Sequence, residues 1–248
     1  KHIIRNSSSI TYISSGVGEM LDAHTTQDAH VVTNGFDPDD RNTSDVVSAT
    51  PSSELSLCYV GSLYGGTRDF SPLFMVLKEL QTEGLIDPNK VRLVYAGAEA
   101  QVLTNQAKAY GLEGIIDDRG FVSREESLNI QSASDICLVS SWNSDKDKGI
   151  MTGKLFEYFT NNKMVIAVVN GTIPGSEIAQ VISDVNAGFS LEVASTEFEK
   201  EKSELKTVLT QAYDSKMASG GLQHVYSSKI EDYTFDILSK KFVKILKG

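Results

Sequence analysis

A chain of 248 residues with 40% hydrophobic content is long enough to bury one sizeable core with room for a smaller appendage. Its formal charge of −10 argues against a non-specific nucleic-acid binder, which needs a basic footprint to neutralise phosphates, so any phosphate ligand has to meet a local positive site. No apolar run of membrane-spanning length is visible, nor a basic start leading into an apolar stretch and a cleavage site, so a cytoplasmic location is the default expectation.

Residues 1–34 carry a helix-like start, a strand-like ITYIS at 10–14, a helix near 16–24 and a strand HVVT at 30–33 that stops at the turn Asn34-Gly35. They read as the tail of something larger, and with Lys1 rather than Met at the start the chain is expected to be a portion of a longer protein. Residues 36–54 are polar and rich in Asp, Ser and Pro, which suits a linker or exposed loop.

From about residue 55 to 191 short apolar runs rich in β-branched residues alternate with longer segments of helical spacing. The candidate strands are LCYVG at 57–61, VRLVYAG at 91–97, a weak IIDDRGF at 115–121, ICLVSS at 136–141, MVIAVV at 164–169 and GFSL at 188–191. The candidate helices between them lie near 70–83, 99–110, 124–132, 152–161 and 175–184. Such alternation predicts an α/β fold with a parallel, doubly wound sheet covered on both faces, whose ligands bind outside the carboxyl ends of the strands. Residues 196–216 form a charged helix, and Phe235, Leu238, Phe242, Ile245 and Leu246 recur at helical spacing in a final one. Cys58 and Cys137 sit in the apolar runs LCYV and ICLV, where a free thiol behaves as a small hydrophobe. His2, His24, His30 and His224 have no metal-ligand spacing with one another or with the cysteines, which argues against a zinc site.

The loops at the strand carboxyl ends are where chemistry is expected. After the first strand, GSLYGGTRD at 61–69 has three glycines that allow backbone close to a ligand, and Arg68 offers a forked donor for phosphate oxygens. It is neither a Walker loop nor a G-x-G-x-x-G fingerprint, and taken alone it reads more simply as a mobile glycine turn with a solvated arginine. After the third strand, Ser123 and Glu126 form a capping box, while Phe121 and Val122 either flank a flat base or join the core.

After the fourth strand, Thr152 is a good N-cap for the segment TGKLFEYF at 152–159. The first-turn amides and the helix dipole make an anion site there. Leu155 and Phe159 face the core, whereas Lys154 and Glu157 lie off it, within about 60° of each other. They form either an exposed ion pair worth about 0.2–0.5 kcal/mol, or a site in which Gly153 and Lys154 meet a diphosphate and Glu157 accepts hydrogen bonds from two neighbouring hydroxyls. Physics alone leaves the two readings even.

The chain resembles the donor-binding half of a GT-B glycosyltransferase of the large retaining family four (glycosyl transferases group 1), which includes many bacterial enzymes of polysaccharide and lipopolysaccharide biosynthesis. The similar stretches occur in the family's order: ITYISSGVGEML with HVVTNGFD, YVGSLYGGTRDFSPLF, VRLVYAG, DRGFVSREESLNIQSASDICLVSS, TGKLFEYFTNNKMVIAV and PGSEIAQVISDVNAGF. They cover most of residues 10–190.

The resemblance implies a Rossmann-like sheet that binds a nucleotide-sugar donor. Residues 1–45 would be the tail of the N-terminal acceptor domain plus linker, 46–220 the donor domain, and 221–248 a helix packing back on both. Glu157 would hold the ribose hydroxyls. Arg68 and Lys154, with amides near Gly61 and Gly153, would hold the diphosphate, and Phe121 with Val122 the base. Arg68 and Lys154 would also do the catalytic work, by stabilising the departing diphosphate during front-face transfer with retention. No metal or other cofactor is required in that scheme. The acceptor would be a glycan or lipid-linked sugar, and the full-length protein would be cytoplasmic or peripherally associated with the inner face of the membrane.

Two positions depart from the family pattern. Much of the family carries two glutamates eight positions apart, the first reaching the donor sugar, and here that first position is Gly149. The arginine that often follows the first-strand glycine is Ser62, leaving that phosphate contact to Arg68 and Lys154. Charged side chains at 145–148 are candidates to replace the missing sugar contact, although such runs are usually solvated. Trp142, the only tryptophan, lies at the edge of the proposed site, in a stacking or a structural role. With most of the acceptor domain outside the chain, donor binding is expected to be weak and transfer slight. The alternatives are a non-catalytic nucleotide-sugar-binding or assembly module and, as a poorer fit, a GT-B-like epimerase.

Overall fold

The computed structural model describes residues 7–22, 28–40 and 53–247. At the start, β1 (Ser9–Tyr12), α1 (Ser15–Asp22) and β2 (Asp28–Val31) form a small unit in which the two strands pair in parallel. Residues 1–6, where the helix-like start is expected, and most of the proposed linker, 41–52, lie outside the described residues. The part of the linker that is described is not loose. Phe36 is buried, its amide donates to the Tyr233 carbonyl at 3.1 Å, and its ring meets Phe159 edge-on.

The main body alternates as the apolar runs predict: β3 (Leu55–Val60), α2 (Ser71–Thr82), β4 (Val91–Ala96), α3 (Ala100–Lys108), β5 (Ile116–Asp118), α4 (Arg124–Ala133), β6 (Ile136–Asn143), α5 (Gly153–Phe159), β7 (Met164–Gly171), α6 (Glu177–Asp184) and β8 (Gly188–Glu192). The long helix α7 (Phe198–Ser219) and the final helix α8 (Phe235–Lys247) complete it. All six strands of the main sheet are parallel, in the spatial order β5-β4-β3-β6-β7-β8.

Alternation along each strand divides the core into two layers. Leu55, Leu57 and Tyr59 of β3, with Ile136 and Leu138 of β6, face the layer built from α2, α3 and α7. Cys58, Cys137, Val139 and Val165 face the layer of α5 and α6. A parallel sheet buried on both faces explains why these strands read as continuous apolar runs. Both cysteines are fully buried, with their sulfurs 3.7 Å apart.

β1 and β2 stop at Tyr12 and Val31, two residues short of the stretches read for them, and at the carboxyl edge of the main sheet three strand ends differ from the sequence reading by two residues or more. β5 is confined to Ile116–Asp118, although two backbone bonds beyond it, the Arg119 amide to the Tyr95 carbonyl and the Gly97 amide to the Gly120 carbonyl, each 2.8 Å, keep the chain beside β4 up to the turn at Gly120. β6 and β7 run two residues further than their apolar cores, pairing Trp142 with Asn170 and Asn143 with Gly171. Trp142 therefore belongs to a strand end rather than to the loop that follows. On α8 only Leu238 is buried, and Phe235, Phe242 and Leu246 are exposed.

Candidate functional site at the carboxyl edge of the sheet

The strand order reverses between β3 and β6, with connections leading to opposite faces of the sheet, and the crevice outside such a switch point is where open α/β sheets take ligands. The loop after β3 forms one wall. Tyr64, Gly65 and Gly66 all have positive φ, at 51°, 64° and 99°, so the backbone turns tightly there. This conformation aims successive amides at one point, and Glu99, just beyond β4, supplies the acceptor. Its Oε2 accepts from Ser62 Oγ at 2.5 Å, the Leu63 amide at 2.6 Å and the Tyr64 amide at 3.1 Å, and its Oε1 accepts from the Gly65 amide at 2.7 Å. The Ser62 hydroxyl and the Gly65 amide hold the Glu99 carboxyl below the usual carboxylate range.

Arg68 sits on the same loop. One Nη donates to the Tyr59 phenol at 3.0 Å and to the Ser62 carbonyl at 3.1 Å. Its guanidinium carbon lies 4.7 Å from the Tyr64 ring centroid and 6.0 Å from that of Trp142, an aromatic cradle that holds a cation without neutralising it. Burial pushes the Tyr59 phenol up to about 12, so it stays neutral and accepts from the guanidinium. Among the described residues no carboxylate pairs with Arg68, and its Nε is buried without a partner.

The candidates Gly153, Lys154 and Glu157 lie on α5, in the connection from β6 to β7. Thr152 caps this helix, its hydroxyl accepting from the Lys154 amide at 3.4 Å, and Thr160 is its C-cap, two residues before Asn162 turns the chain at a φ of 50°. Leu155, Phe156, Tyr158 and Phe159 are all buried, which leaves Gly153, Lys154 and Glu157 as the solvent-facing stripe. Lys154 Nζ lies 2.9 Å from Glu157 Oε2 and 3.1 Å from Oε1, and the buried Gln131 of α4 donates to Oε1 at 2.7 Å. The pair is part-buried rather than fully exposed, and Glu157 retains only 17% side-chain exposure.

Glu157 and Gly153 line a cavity of about 620 Å³ together with Asp37, Asp39, Arg124 and Glu125, a size in the usual range for ligand pockets. An acidic lining of this kind suits hydroxyl groups. Phosphate has to be met elsewhere, and Arg68, Phe121 and Val122 are not among the cavity's lining residues. Phe121 is 91% exposed, which removes its core alternative, and Val122 is half-buried. Lys154 is joined to the cavity through Glu157.

Gly149 has a structural reason to be glycine. Its φ is 66°, and an added Cβ would fall 2.9 Å from the Gly16 Cα and collide with Ser14 Oγ. The same point is fastened by Glu177, whose carboxylate accepts from the Ser15 and Gly16 amides at the start of α1, at 2.9 and 2.6 Å. Lys148 lies 3.7 Å from Glu19, while Asp145, Lys146 and Asp147 are exposed. Replacing Gly149 with glutamate is therefore expected to destabilise the fold by about 1–3 kcal/mol through backbone strain and displacement of α1, seen as a lower midpoint in thermal unfolding.

Sequence reading did not single out Glu99, Gln131 or Glu177. Gln131 carried one available signal, its i, i+4 relation to Ser127 on the face of α4 that turns inward.

No family model and no curated protein sequence matches the chain. Among solved structures it is similar to WaaG, a glycosyltransferase involved in lipopolysaccharide biosynthesis, with a TM-score of 0.62 and 14% identity over 96% of this chain and 62% of that one. It is similar to the lipopolysaccharide outer core galactosyltransferase WaaB with a TM-score of 0.62 and 15% identity, over 97% of this chain and 62% of the other. Sucrose-phosphate synthase from Thermosynechococcus elongatus matches with a TM-score of 0.61 and 13% identity, over 99% of this chain and 59% of the enzyme. The chain thus spans about three fifths of the length of these proteins. Its fold is that of GT-B glycosyltransferases, with the six-stranded sheet as a Rossmann-like domain.

Proposed function

We propose that this chain is the donor-binding portion of a nucleotide-sugar-dependent glycosyltransferase acting with retention on a glycan or lipid-linked acceptor. The observation that carries the reading is Arg68, an arginine with no carboxylate partner among the described residues of a chain with a net charge of −10, held at the switch-point crevice of the sheet. A preorganised cation there favours diphosphate, and most strongly the diphosphate that departs as the bond from the sugar carbon breaks. The acceptor oxygen forms the new bond on the same face and its proton passes to the departing diphosphate. The hydroxyl-rich part of the donor fits the acidic cavity, with Glu157 accepting from the ribose, and Phe121 with Val122, which lie outside that cavity, flank the base. The glycosyltransferase names of the similar structures support the reaction class. Those with lipopolysaccharide in their names favour a glycan or lipid-linked acceptor, met by the full-length protein at the inner face of a membrane. No helix among the described residues is long and apolar enough to cross one.

Glu157 engages Lys154 and Gln131 directly, so donor binding requires Lys154 to turn from the carboxylate towards phosphate as hydroxyls take its place. Glu157→Ala is expected to weaken binding of a nucleoside diphosphate by about tenfold or more, the loss of hydrogen bonds to a charged group. Calorimetry across a panel of nucleoside diphosphates measures this, and equal affinity of wild type and variant would refute the assignment.

A second reading, a non-catalytic nucleotide-sugar-binding or assembly module, is favoured by one observation. The backbone around Gly149 packs against Gly16 and Ser14, leaving no room for a side chain that would reach a donor sugar. The readings separate on nucleotide release by the full-length protein: release from a sugar nucleotide in the presence of acceptor supports the enzyme, and binding without release supports the module.

A further inference from the structure

We propose that Glu99 is the positioning residue for diphosphate recognition, acting through the glycine loop on Arg68. The proposal deepens the donor-binding reading and rests on it. Glu99 sits on the loop after β4, and its backbone amide donates to the Tyr95 phenol at 3.1 Å. That phenol donates in turn to the Gly61 carbonyl, also at 3.1 Å, so the base of Glu99 is fastened to the end of β3. From this anchor the carboxylate receives four hydrogen bonds from the loop between Ser62 and Gly65.

Two consequences reach Arg68. The first runs through Tyr64, whose φ of 51° is an uncommon conformation for an aromatic residue, made tenable by the carboxylate that collects its amide and the next. In that conformation the Tyr64 ring supports the guanidinium at 4.7 Å and meets Trp142 edge-on at 6.0 Å. The second runs through Ser62, whose hydroxyl is fixed by Glu99 while its carbonyl accepts from Arg68. Glu99 thus holds both the platform under the guanidinium and one acceptor at its edge. A carboxylate is needed for this because all four groups are donors. In a glutamine the amide nitrogen would oppose one or more of them, leaving donors without acceptors.

The test is a double-mutant cycle on Glu99→Gln and Arg68→Ala, with binding of uridine, guanosine and adenosine diphosphates and of the corresponding nucleosides measured by calorimetry. Glu99→Gln is expected to weaken the diphosphate by about tenfold and to leave the nucleoside within about twofold, a split that general loss of folding would not produce. In the Arg68→Ala background the same substitution is expected to add less than about twofold, because the residue it positions is gone. Multiplicative effects in the double variant, or equal weakening of nucleoside and diphosphate, would overturn the proposal. Glu99→Asp keeps the charge but falls one methylene short, so an intermediate loss of diphosphate affinity is expected, and wild-type affinity in that variant would also count against the proposal. If the wild type binds none of these diphosphates, the donor reading itself fails. Positioning is then read alone from Trp142 emission and the Arg68 Nε–H resonance, both of which should shift in Glu99→Gln, and unchanged signals would reject it.

Discussion

Substituting Lys216 with methionine is expected to cost about 3–5 kcal/mol of folding free energy, more than any other single change considered for this chain. Lys216 lies in the last turn of α7, where a cation also complements the helix dipole, and its Nζ is 2.8 Å from Asp135 Oδ1 with both side chains only 8% exposed. The other carboxylate oxygen accepts from the Ser56 amide and the Ser56 hydroxyl, each at 2.8 Å. The Asp135 amide in turn donates to the Ser56 carbonyl at 2.9 Å. This cluster ties the longest helix to the starts of β3 and β6, the two strands at the switch point.

Removing the lysine strands a carboxylate that water cannot reach, and that uncompensated charge accounts for the size of the effect. The companion Lys216→Met with Asp135→Asn is expected to recover much of the loss, since the asparagine oxygen still accepts from Ser56 and no charge remains buried. Urea denaturation of the two variants measures both quantities. A loss below about 1 kcal/mol for Lys216→Met would mean that the pair is solvated in the way of surface ion pairs.

The alternation of strands and helices was legible because a doubly covered parallel sheet writes itself as apolar runs: LCYV, VRLVYA, ICLV and MVIAVV all fall inside strands. The strand ends were less so. Trp142 and Asn143 pair with Asn170 and Gly171, yet nothing apolar marks them as ladder residues. Phe36 was hidden by its polar surroundings, although its ring closes the layer beside Phe159. The helix caps at Ser123 and Thr152 were readable because a cap bonds within its own turn.

The site followed the same division between local and distant. Gly153, Lys154 and Glu157 belong to one helical stretch, and their relation follows from helical geometry. Glu99 meets the loop that begins at Ser62 only because β3 and β4 are neighbours, and Glu177 meets Ser15 and Gly16 from more than 160 positions away. Such contacts have no signature in spacing. They arise when the sheet order is fixed and a donor-rich loop is left in reach of a carboxylate.

Replacing Arg68 with alanine is expected to produce the largest loss of ligand binding, about 100-fold in affinity for a nucleoside diphosphate, the worth of one or two charge-assisted hydrogen bonds from a forked donor. Its role in holding the loop is small by comparison, since Glu99 fastens Ser62 through Gly65 independently, so the variant should unfold at nearly the wild-type temperature. Arg68→Lys separates charge from geometry. A lysine keeps the positive charge, but it cannot bond the Tyr59 phenol and the Ser62 carbonyl while lying flat on Tyr64, and it offers phosphate a point rather than a fork. It should therefore restore only part of the affinity and show the steeper salt dependence of a more hydrated, less fixed ion pair. Titration of the three proteins at two ionic strengths distinguishes these outcomes. Wild-type affinity in Arg68→Ala would remove the guanidinium from diphosphate binding and shift that role to Lys154 and the amides at the start of α5.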